Sequence, residues 1–128
     1  WNLSESPNYA QTVDMLEKAF AQIPDGTNLI LHSDQGWQYQ MYDYQRRLKE
    51  KGIRQSMSRK GNCLDNSVME NFFGLLKSEL LYLQEFESVE HFKKELIEYL
   101  SWYNEKRIKV KLKGLTPLQF RNQSLKSA

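Results

Sequence analysis

Almost nothing in these 128 residues invites covalent cross-linking, because the only cysteine is Cys63. One thiol excludes an intrachain disulfide and cannot by itself build a thiolate metal site; a reducing cytoplasm is the simplest fit. Long apolar runs are also missing, so no membrane span is expected. Three prolines and six glycines are too few to mark an interdomain linker, and there is no internal repeat or low-complexity tract. The opening stretch WNLSESPNYA has neither an initiator Met nor a basic-then-apolar signal pattern. It therefore reads as an internal piece of a longer product.

What remains is ordinary globular material, 40% hydrophobic and 27% charged, at a length that suits one domain. The net charge of +2 hides an uneven distribution. Residues 46–60 hold seven lysines and arginines against one glutamate, and residues 105–121 hold six against one. Between them, residues 79–98 carry six glutamates and two lysines. Two basic segments around an acidic one suggest a polyanion-facing side and a solvent-facing side, although solvated helix faces produce similar clusters.

Periodicity gives the order helix, strand, helix, strand, helix, helix, which is an α/β pattern. ESPNYAQTVDMLEKAFAQIPDG places Val13, Leu16, Phe20 and Ile23 at helical spacing and stops at Pro24-Asp25-Gly26. NLILH reads as a short buried strand that runs into a turn at Asp34–Gly36. YQMYDYQRRLKEKG reads as one helix, with Tyr44 and Leu48 inward and Gly52 as its stop; residues 53–57 can form a second strand. SRKGNCLDNS reads as a loop. A long helix is expected over about 67–83, with an inward stripe of Met69, Phe72, Phe73, Leu76 and Leu80. Another begins after Ser88 with Phe92, Leu96, Tyr99 and Tyr103 inward. A last short helix opens with Thr116 as N-cap and Pro117 in the first position.

Two carboxylates stand out. Asp34 ends a strand, Glu70 lies in the first turn of an apolar helix, and 35 residues separate them. A strand's C-terminal end and the start of a following helix can converge on one cleft, where such folds bind ligands. Each residue also has a plainer reading. Asp34 suits a turn, and Glu70 could close a capping box on Ser67. Asp65 and Asn66 are candidate caps for the helix that presents Glu70. Lys77, seven residues after Glu70, would project from the same helix face about 10 Å further on, where an ammonium could meet a phosphate. Gly74 on that face leaves room for close approach. His32 reads as a packing or hydrogen-bonding residue at a sheet end, His91 as helix surface, Trp102 and Tyr103 as core, and Cys63 as a passive thiol.

HSDQGWQY, GNCLDNSVMENFFGLLKSEL, YNEKR and LTPLQF together resemble the catalytic core of bacterial insertion-sequence transposases, whose cores are retroviral-integrase-like. The resemblance covers nearly the whole chain. It implies a ribonuclease-H-like integrase catalytic core, helix-rich with few short strands, and a triad of two Asp and one Glu that binds Mg²⁺ or Mn²⁺ for DNA cleavage and strand transfer. Asp34 falls on the second aspartate, Glu70 on the glutamate, and Lys77 on a DNA-contacting base. The first aspartate has no match, since Glu5 and Asp14 do not fit it. Trp1–Leu3 would then end the third strand, and the chain would be an N-terminally truncated core. On this reading residues 1–128 are one partial domain, with about 1–83 carrying Asp34 and Glu70 and about 88–128 forming its C-terminal helices. RIKVKLKG departs from the His and small polar residues of many relatives and is more basic.

Further expectations follow from the resemblance. Arg46, Arg47, Arg59, Lys60, Arg107, Lys109 and Lys111 are candidate phosphate contacts for transposon-end and target DNA. Metal affinity in this fragment is expected to be weak or absent, and the fragment inactive alone. The open edge of the 28–32 strand favours a homo-oligomer. The setting is a bacterial cytoplasm, with no membrane partner. A ribonuclease-H-like nuclease, or a non-catalytic DNA-binding or subunit-interaction remnant, stays open as an alternative.

Overall fold

The computed structural model describes residues 1–126. Their contacts divide the chain into two compact units, Trp1–Glu70 and Asn71–Ala128.

The first unit is built on a parallel strand pair. Helix α1 (Tyr9–Phe20) is capped by Asn8, whose side chain accepts from the Gln11 N–H. Strand β1 (Ile30–Ser33) lies parallel to β2 (Arg54–Met57) in the register Ile30↔Arg54 to Ser33↔Met57. A parallel pair needs a crossover, which is supplied here by helices α2 (Trp37–Gln40) and α3 (Tyr42–Lys51). Leu16, Tyr44, Leu48 and Ile53 form the buried centre. The Tyr44 ring meets Tyr39 edge-on at 5.4 Å, and burial pushes its hydroxyl up to about 12.

The end of α3 shows how sequence sets local structure. Gly52 takes the left-handed conformation (φ 78°) that its missing Cβ permits. Its N–H reaches the Lys49 carbonyl at 3.0 Å, and the Ile53 N–H reaches Leu48 at 2.9 Å. This is the Schellman pairing, and its usual apolar partners, Leu48 and Ile53, are both buried in the core.

In the second unit, helix α4 (Ser67–Leu76), which begins in the first, passes into a π-helical turn over Lys77–Leu81. Helix α5 (Val89–Glu105) starts at Ser88, which accepts from the His91 N–H at 3.0 Å. Leu76, Leu80, Leu96, Tyr99 and Tyr103 make the core, with Phe72, Phe86 and Phe92 packed against it. Helix α6 (Pro117–Lys126) opens on a reciprocal capping box, as the Gln119 N–H donates to Thr116 Oγ1 and the Thr116 N–H to Gln119 Oε1.

Several expectations need correcting. The 39–52 helix is broken at Met41, whose ψ of 138° is extended. The break frees the Tyr39 carbonyl to accept from Gln55 Nε2 of β2 at 2.7 Å, a tertiary bond that local pattern does not reveal. The expected NLILH strand is not buried throughout: Leu29, which precedes β1, and Ile30 are exposed while Leu31 packs on the core. The 58–67 loop contains a 3₁₀ turn at Cys63–Asn66. Met69 and Phe73 are half exposed, and the inward residues are Phe72, Leu75, Leu76 and Leu80. Trp102 is also half exposed, unlike its buried neighbour Tyr103. Trp1–Leu3 form no strand; Asn2 is tied instead to α1 through the Gln11 carbonyl and Lys18.

Candidate functional site

Asp34 follows the last residue of β1 and is exposed. Its Oδ1 accepts the Gly36 N–H at 2.8 Å, an Asx-type turn that fixes the carboxylate and leaves Oδ2 without a donor among the described residues. Gly36 leaves space here that is bordered only by side-chain ends. A Cβ built on it would lie 3.0 Å from Asp34 Oδ1 and 2.8 Å from the mobile end of Gln38. The turn reading of Asp34 is therefore correct, and it leaves one oxygen available.

The neighbouring wall is the segment after β2. Ser58 is buried; its N–H donates to Ser33 at 2.8 Å and its carbonyl accepts from Gln35 Nε2 at 3.0 Å. Arg59 then closes a loop on Asp65 with three bonds, from its backbone N–H at 2.9 Å, Nε at 3.0 Å and Nη2 at 2.9 Å. This guanidinium holds the Asp65 carboxyl at about 2, below the usual carboxylate range. Asp65 does not cap the helix. Asn62 provides the local cap, accepting from the Leu64 N–H at 3.1 Å.

Asp34, Gly36, Arg59, Lys60, Asn62 and Glu70 line one open cavity of about 460 Å³. Glu70 is exposed in the first turn of α4 and has no hydrogen-bond or ion-pair partner among the described residues. The capping-box reading fails because Ser67 is already helical (φ −56°, ψ −31°), so the 3₁₀ turn feeds straight into α4. Asp34 and Glu70 are the acids that line this cavity, and the nearby Asp65 is already engaged by Arg59. That donor set fits Mg²⁺, which takes one or two carboxylates and completes its shell with water and phosphate. Among the described residues no group of three or more His, Cys, Asp or Glu is arranged to hold a metal.

Of the expected site residues, Asp34, Glu70, Arg59 and Lys60 share the cavity. Arg46 and Arg47 lie on α3, where both bind Asp43, Arg46 also binds Glu50, and Arg47 also approaches Glu17. Asp43 is thereby held at about 2. Lys77 begins the π-helical turn of the second unit and is exposed. Lys111 is exposed, whereas Lys109 donates to Tyr103 Oη at 2.8 Å and lies over its ring. Arg107 forms a fork on Glu79, at 2.6 Å from Nη2 and 2.9 Å from Nε. His32 bonds Ser56 Oγ through Nδ1 at 2.9 Å, as a hydrogen-bonding sheet residue should. Sequence reading missed the Arg59–Asp65 and Glu79–Arg107 pairs; the available signal was a Gly-Asn turn that could return the chain from Arg59 to Asp65.

Two family models described as integrase core domain match the chain, one over residues 1–63 and the other over residues 70–125. The chain is 54% identical over 97% of its length to the putative transposase InsK for insertion sequence element IS150 of Escherichia coli strain K12, and covers 44% of that protein. It thus spans less than half of that relative. Its fold is similar to the catalytic core domain of BIV integrase, with a TM-score of 0.72 at 24% identity over 97% of this chain and 77% of that one. It is also similar to the HTLV-2 integrase catalytic core domain solved in complex with magnesium as a dimeric form, with a TM-score of 0.53 at 14% identity over 91% and 70%. No helix among the described residues is long and apolar enough to cross a membrane.

Proposed function

Because the chain belongs to the integrase-core family of insertion-sequence transposases and has a ribonuclease-H-like fold, we propose that it supplies part of the catalytic centre for DNA strand cleavage and strand transfer. The observation that carries this reading is the shared cavity of Asp34 and Glu70, each with a free carboxylate oxygen. Asp34 and Glu70 would hold Mg²⁺ or Mn²⁺. The chemistry such an ion supplies is activation of an attacking oxygen and neutralisation of charge on a leaving oxygen in phosphoryl transfer.

The chain's own groups bind and orient. Asp34 is aimed by the Gly36 N–H, Glu70 by the first turn of α4, and Lys60, unpaired among the described residues, supplies a cation at the cavity for a DNA phosphate. Lys77, Arg46, Arg47 and Lys111 are further phosphate contacts in this reading, whereas Lys109 is held by Tyr103. Arg59 and Arg107, although basic, act first on Asp65 and Glu79. With two carboxylates this chain is expected to bind Mg²⁺ weakly and to need the rest of a transposase for turnover. Self-association through the open edge of β1 is expected, and a monodisperse monomer in light scattering contradicts it.

The test is Glu70→Gln in a transposase that contains this chain. Strand transfer should be lost while binding to end DNA stays within about twofold, since the substitution removes a ligand and no phosphate contact. Retained strand transfer overturns the assignment.

A further inference from the structure

The basic segment after α5 separates into cations held inward and cations left outward. Arg107 is engaged by Glu79, which also accepts the Tyr99 hydroxyl at 2.8 Å; with side chains 20% and 26% accessible, this is an internal pair. Lys109 is occupied by Tyr103 and weakly by Asn71. Between them these bonds pin both ends of the stretch 107–109 to the core of the second unit.

Beyond that anchor the backbone closes a tight turn. Lys109 and Leu115 form an antiparallel bridge, residues 110–112 make one 3₁₀ turn, and Lys113 (φ 58°) and Gly114 (φ 74°) both take positive φ. The Gly114 and Leu115 N–H groups bond back to Lys109 at 3.2 Å and Leu112 at 3.0 Å. The turn is therefore internally hydrogen-bonded, and its exposed side chains stand on a defined frame. The side chains of Lys106, Lys111 and Lys113 are exposed and make no hydrogen bond or ion pair among the described residues, and residues 106–126 contain no acid at all.

We infer that Lys106, Lys111 and Lys113 form a docking surface for the phosphate backbone of duplex DNA, and that Glu79 serves it by holding Arg107 as the anchor of the turn. This rests on the DNA-processing reading above and identifies which cations of the segment meet the partner. Lys111 and Lys113 on the fixed turn, together with Lys106 at the end of α5, provide three ammonium groups for sequence-independent charge neutralisation and register. Ile108 and Val110 are exposed between the lysines, but two aliphatic side chains beside a three-residue turn fall well short of the amphipathic helix that interfacial membrane binding takes.

The test is fluorescence anisotropy of a labelled duplex against the 128-residue chain over a salt series. The triple variant Lys106→Ala/Lys111→Ala/Lys113→Ala should lower the slope of log K against log salt by about 3 and weaken binding about 10–100-fold near 0.1 M salt. A control that removes equal charge elsewhere, Lys18→Ala/Lys93→Ala/Lys94→Ala, should change the slope by less than about 1. An unchanged slope in the first variant, or equal losses in both, overturns the docking surface and leaves the DNA reading standing. A wild-type chain that ignores duplex DNA, or prefers phosphatidylserine vesicles to it, overturns both.

Discussion

Glu70 and Glu79 are nine residues apart in sequence and stand in opposite surroundings. Glu70 is exposed at a cavity with no partner among the described residues, whereas Glu79 receives a forked Arg107 and the Tyr99 hydroxyl. Asp34 and Asp65 repeat the contrast within the first unit, one oxygen of Asp34 being free while Asp65 takes three bonds from Arg59. An acid whose lone pairs are already filled by the protein stabilises the fold. An acid aimed at a cavity with lone pairs to spare can bind something else. Charge alone separates neither pair, and the difference lies in which donors the fold brings up.

The contrast can be broken first at its largest effect. Glu70→Gln should abolish strand transfer in a full transposase yet leave the melting temperature of this chain within about 1 °C, because no protein bond is lost. Glu79→Gln should do the reverse, lowering stability by about 1–3 kcal/mol in urea unfolding through the loss of a charge-assisted fork on a mostly covered Arg107. Equal stability losses in the two variants would erase the distinction. Gly36→Ala should come next: its Cβ crowds Asp34 Oδ1, and Mn²⁺ affinity should fall about tenfold with little change in folding.

The smallest effect is in the pH dependence. Arg107 lowers the Glu79 carboxyl from its ordinary value near 4.5, so the unfolded state binds the proton first as pH falls. The stabilisation is fully present above that value and is lost as pH drops through the lower folded one. Glu79→Gln should flatten the acid limb of the stability profile below about pH 4.5.

Much of this was legible where the governing chemistry is local. The Ser88 and Thr116 caps, the Gly52 stop and the helix between two strands follow from residue types at fixed offsets. Asp34 and Glu70 were legible as a pair mainly through the resemblance to transposase cores, and the two line the same cavity. Bonds between distant residues were not. The break at Met41 answers to Gln55, and Arg107 answers to Glu79, 28 residues away. The long-helix pattern also overstated the inward stripe. Apolar residues occur on several faces of α4, and the period alone does not say that Met69 and Phe73 stay exposed.

The central claim is that Asp34 and Glu70 jointly hold a divalent ion, and Mn²⁺ broadening of backbone amide signals in the 128-residue chain tests it most directly. Broadening should centre on residues 33–36 and 69–71 and should be lost in both Asp34→Asn and Glu70→Gln. Broadening that persists in either variant, or that centres on the glutamates of residues 79–98, would contradict the account.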